Sequence, residues 1–158
     1  MMNFKFSKNI KGITVGEILV TVSIMAVLAA SVSSVFVDIK KTQALEHDAE
    51  TIVEVLTQAK AMTISSQNAS QYGVHLESGR VIMFSGSTYQ PTATDNMIFP
   101  LFASDVILTI SLSGGGNDVI FQRLTGDTAN GGTIVVSSPT ESKSITIHIY
   151  QTGMTESD

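Results

Sequence analysis

The side chains best suited to acid–base or metal chemistry near neutral pH are three histidines, His47, His75 and His148. They lie far apart in the sequence and share none of the short spacings by which two ligands reach one ion. Cysteine is absent, which removes thiolate ligands and disulfides together. Asp118 and Asp127 flank glycine-rich turns, but a calcium loop needs a run of regularly spaced oxygen donors, and none surrounds them. Glu46, Glu50 and Glu54 form an i, i+4 line that reads as a wetted helix face rather than an acid–base pair. Gly114-Gly115-Gly116 precedes no helix and lacks the lysine of a phosphate loop. A G-x-S-x-G nucleophile elbow is missing as well. The residues therefore predict no catalytic centre, no metal site and no cofactor.

One acid remains to be explained. Residues 13–37 are an apolar run whose only charge is Glu17. At 1.5 Å per residue a helix of that length covers about 37 Å, more than the roughly 30 Å of a bilayer's hydrocarbon core. A carboxylate near the start of such a helix is costly in lipid and marks a functional position by default. Residues 1–12 carry Lys5, Lys8 and Lys11 and no acid, which favours keeping this end on the cytoplasmic side. Asp38, Lys40 and Lys41 mark the far interface. A cleaved signal peptide with its small-residue site near Val27-Leu28-Ala29 would have to tolerate Gly16-Glu17 in its apolar region. A plain signal anchor explains the length and leaves Glu17 without a reason.

The stretch Lys11-Gly12-Ile13-Thr14-Val15-Gly16-Glu17-Ile18-Leu19-Val20 resembles the type IV prepilin signal. The resemblance implies cleavage by a prepilin peptidase between Gly12 and Ile13 and methylation of the new N-terminus on Ile13. It also implies that Glu17 pairs with the N-terminal amine of a neighbouring subunit. Two groups that are each expensive in lipid become tolerable when they neutralise one another. Ile13 stands where that family usually has Phe, and Gly16 where it usually has Leu or Ile. Gly16 weakens the helix start by about 1 kcal/mol relative to Ala.

From Asp38 to about Gln67 there is no Gly or Pro. Leu45, Ala49, Ile52, Leu56, Ala59 and Thr63 recur at helical spacing and predict one buried stripe. A single helix from Ile13 to about Gln67 would be roughly 80 Å long. From Gln71 the period changes to alternation. Tyr72–Glu77 and Arg80–Ser85 predict a hairpin around Ser78-Gly79, and residues 86–105 a long loop with an apolar insertion at 97–102. Strands are expected at 106–112, 119–123, 133–138 and 144–150, with Gly115-Gly116 and Gly131-Gly132 supplying positive φ in turns. The expected fold is α+β: a leader at 1–12, a membrane and filament-core helix at 13–37, its amphipathic continuation at 38–67, and an antiparallel β domain at 68–158.

Phe121–Gly126, Gly131–Val136 and Ile145–Tyr150 followed by Gly153 are similar to the C-terminal pattern of the H-class minor pseudopilins and FimT-like minor pilins. That resemblance implies a non-enzymatic structural subunit of a type II secretion pseudopilus or a type IV pilus. Its partners would be other pilin-like subunits, the prepilin peptidase, the inner-membrane assembly platform and membrane lipid. It would sit in the inner membrane as a single-pass protein with the β domain outside the cytoplasm. The loops at 86–105 and 114–118 are the expected contact surfaces. A competence pilin or surface adhesin that binds DNA or another ligand is the alternative. Some FimT-like minor pilins bind DNA through a C-terminal Gly-Arg-x-Arg element, whereas this chain reads Gly153-Met154-Thr155-Glu156-Ser157-Asp158 and offers no cation there to displace phosphate counterions. Three of the nine basic residues lie in the leader, so residues 13–158 hold six against fourteen acids. No nucleic-acid partner is expected from that balance.

Overall fold

The computed structural model describes residues 12–102, 106–139 and 143–158, and within these the side chains of 32–39, 41 and 107 are outside the description. The basic leader (Lys5, Lys8, Lys11), the Asp38 and Lys41 side chains, and 103–105 of the long loop thus lie outside the described residues. The chain divides into two units at Asp38/Ile39.

One helix, α1 (Val15–Ile64), contributes to both units. In the first unit its described side chains, through Ser31, are all exposed. The hydroxyls of Thr21, Ser23 and Ser31 donate back to the carbonyls of Glu17, Leu19 and Val27 at 2.7–3.0 Å, so they carry their own acceptors. Among the described residues no helix is long and apolar enough to cross a membrane.

The second unit is α+β, with two four-stranded antiparallel sheets. Its strands are β1 (Tyr72–Glu77), β2 (Arg80–Ser85), β3 (Met97–Pro100), β4 (Ile107–Leu112), β5 (Asp118–Ile120), β6 (Gly132–Ser137), β7 (Ser144–Ile149) and β8 (Thr155–Ser157). Sheet A runs β3-β2-β1-β5 and sheet B runs β4-β6-β7-β8. The stripe expected on α1 is buried: Leu45, Ile52, Leu56, Ala59 and Thr63 are inaccessible and Ala49 nearly so. It meets Val74, Leu76, Val81 and Met83 of sheet A and Ile134, Val136, Ile147 and Ile149 of sheet B in one core. Glu46, Glu50 and Glu54 are exposed, and Glu46 pairs with Lys143.

Several expectations are corrected, beginning with the helix start, which is Val15 and not Ile13 because Thr14 caps the first turn. The helix ends at Ile64, short of Gln67, because Ser66 takes a left-handed φ of 49° and a 3-10 turn follows at Gln67–Ala69. Thr63 secures this stop: its hydroxyl donates to the Ala59 carbonyl at 2.8 Å and accepts the Tyr72 amide at 2.9 Å. The insertion at 97–102 contains β3, paired with β2, and Thr155–Ser157 adds β8 at the rim of sheet B. The strand expected over 119–123 is Asp118–Ile120, after which Phe121 makes a lone bridge to Thr128.

The glycine pairs also differ in their cause. Gly114, Gly115 and Gly116 do adopt positive φ. Gly131 and Gly132 do not: a Cβ on Gly132 would run into the Ser111 carbonyl and one on Gly131 into that of Ile149. Close approach of neighbouring backbones, not turn geometry, requires glycine at 131 and 132.

Candidate functional site

Thr14 and Glu17 bracket the first turn of α1. The Thr14 amide donates to Glu17 Oε2 at 3.0 Å, and the Glu17 amide donates to Thr14 Oγ1 at 3.2 Å. The Thr14 hydroxyl adds a third contact to the same carboxylate oxygen at 3.2 Å. This reciprocal pair is a capping box, which satisfies two amides that a helix start otherwise leaves without acceptors. Its spacing, Thr-x-x-Glu before an apolar run, is legible in the sequence. Ile13, Gly16, Glu17, Ile18, Val20 and Thr21 line a shallow groove beside the box. Gly16 opens that groove, since a Cβ there would meet only the Thr14 hydroxyl, at 3.9 Å. Ile13 is 76% exposed.

The other candidate residues do not converge. His47 lies on α1, where its ring meets Phe102 at 5.1 Å and Nδ1 faces the Thr51 hydroxyl at 3.2 Å. His148 lies in β7, with Nε2 3.4 Å from Asp158. His75 lies in β1, between Asp118 at 2.5 Å and Glu77 at 3.3 Å. Asp118 is thus engaged by a histidine, while Asp127 borders a polar cleft with Gln122, Thr128 and Gln151. Among the described residues no group of three or more His, Cys, Asp or Glu side chains could hold a metal ion.

Two residues with clear structural work escape a reading of the sequence. Asp48 is fully buried in α1, and its Oδ1 accepts the Phe102 amide at 2.7 Å, tying the exit of β3 to the helix. An acid placed next to the apolar stripe is the available signal. The other is Gly153, φ +68°, whose Cα faces the Gly126 carbonyl so closely that any Cβ would collide with it. Gly126 in turn leaves no room for a side chain against Ile64 and Lys60. Lys60 also donates to the Thr152 carbonyl at 2.9 Å, so the final turn is fastened to the end of α1.

Compared with protein-family models, curated proteins and solved structures, the chain has no significant match in any of the three.

Proposed function

We propose that the protein is a non-enzymatic, pilin-like assembly subunit, a minor pilin or pseudopilin of a type IV pilus or type II secretion pseudopilus. The observation that carries this is the Gly12-Ile13-Thr14-x-x-Glu17 pattern at the head of a helix whose large apolar side chains, from Val15 to Leu28, are all more than half exposed. Apolar side chains exposed around a whole helix require lipid or other helices to cover them. In this reading residues 13–37 form a membrane helix that later becomes filament core, with the leader in the cytoplasm and the β domain outside it. Prepilin peptidase cuts between Gly12 and Ile13 and methylates Ile13. Glu17 then exchanges part of its capping role for the amine of a neighbouring subunit. Its partners are other pilin-like subunits, the inner-membrane assembly platform and membrane lipid.

Mass spectrometry of the mature N-terminus tests the reading. A chain beginning at N-methylated Ile13 supports it. A chain beginning near Ala30 identifies an ordinary cleaved signal peptide and ends it.

A further inference from the structure

Sheet A has a second apolar layer on the face turned away from the main core. Ile82 and Phe84 alternate with the core residues Val81 and Met83 and so point outward, yet each is 1% exposed. The Phe84 ring lies over Gly73 of β1, where even a Cβ would come within 2.5 Å of it. The segment 86–96, between β2 and β3, meets this layer at Phe84. Its Tyr89 ring packs 5.6 Å from Phe84 and stacks on His75 at 4.0 Å, with the planes 13° apart. Within the segment the Ala93 amide and the Asn96 side chain both donate to the Gln90 carbonyl, at 3.1 and 2.8 Å.

His75 is where this strap meets charge. Asp118 of β5 faces Nδ1 and Glu77 of β1 faces Nε2, while Arg80 of β2 holds Glu77 at 2.6 Å. Tyr89 of the strap covers the ring face. A neutral imidazole has one N–H and one lone pair, so only the doubly protonated ring can donate to both carboxylates. The same cation strengthens the stack, because an aromatic face attracts positive charge. Loss of the proton leaves a ring lone pair against a carboxylate and two acids with Arg80 as the counter-charge.

We propose that 86–96 is a pH-keyed strap, held on Phe84 by the protonated His75–Tyr89 stack and loosened when His75 loses its proton. The inference concerns the β domain alone and stands or falls independently of the assembly reading. Hydrogen exchange on the full chain in detergent, at about pH 5.5 and about pH 8, spans the range in which imidazoles change charge. After correction for intrinsic rates, strap amides are expected to exchange at least about fivefold faster at the higher pH, with β6 and β7 unchanged. H75Q is expected to exchange fast at both values and Y89A likewise. Equal corrected rates in the unaltered chain at the two pH values overturn the proposal. So does a pH difference that survives in H75Q.

Discussion

Residues 15–31 and residues 45–63 belong to the same helix and are both rich in aliphatic side chains, but they meet opposite surroundings. In the second stretch the apolar positions return every three or four residues, and charged residues fall between them. One face is therefore buried at 0–2% exposure against two sheets. In the first stretch apolar side chains occupy every side, from Val15 at 75% to Leu28 at 60% exposure, and the few hydroxyls are turned back onto the helix. An amphipathic pattern completes itself within one chain, whereas an apolar surface on all sides does not. Stability of the β domain should therefore depend on the second stretch and be indifferent to the first.

Paired substitutions test this most severely. Ile52→Asp places an unpaired carboxylate in the core and is expected to cost more than about 4 kcal/mol, abolishing cooperative unfolding of the domain. Ile24→Asp should leave the domain's stability to denaturant within about 0.5 kcal/mol of the parent, and the proposed function adds that it should reduce membrane retention. A large loss of domain stability in Ile24→Asp would break the comparison. Gly153→Ala probes the fastening of the last turn to α1. With a positive φ and a carbonyl in the way, it should cost about 2 kcal/mol by chemical denaturation.

Thr14→Ala removes half of the capping box and should weaken the first turn by about 1 kcal/mol, with Thr14→Ser restoring most of it. Amide exchange at residues 15–18 reads this change, and the domain's midpoint should not move. The smallest expected effect concerns pH. The hydrogen bond from Arg80 holds the Glu77 carboxyl below its usual range, aided by the charges of Arg80 and His75. A lowered folded value contributes stability above the unfolded value of about 4.3 and loses it as pH falls through the folded value. Arg80→Gln should therefore raise the midpoint of acid unfolding slightly. Solvent screening keeps the shift small, since the Glu77 and Arg80 side chains are 30% and 48% exposed.

Elements with strong local periodicity are legible from the order of amino acids alone. The Leu45–Thr63 stripe and the hairpin register from Tyr72↔Ser85 to Glu77↔Arg80 need only neighbours in the sequence. β3 is hidden because Met97-Ile98-Phe99-Pro100 is short, ends in proline and is flanked by loop-forming residues, which suits an edge strand. β8 is hidden because Thr155-Glu156-Ser157 has no apolar alternation and is held by pairing with β7. Asp48 has no task that spacing could assign, since its acceptor role depends on a backbone amide 54 residues away.

By itself the sequence determined that one long helix precedes the β domain, which face of its second half is apolar, and the Gly12-Ile13-Thr14-x-x-Glu17 pattern on which the functional proposal rests. These are local facts of spacing and residue type. Only the tertiary structure decided that Gly131 and Gly132 serve close backbone approach. It alone brought Asp118 to His75 across 43 residues and set Tyr89 of the 86–96 segment against Phe84. Such contacts arise from the order in which strands join a sheet. That order is set by burial of the whole core, not by any short stretch of chain.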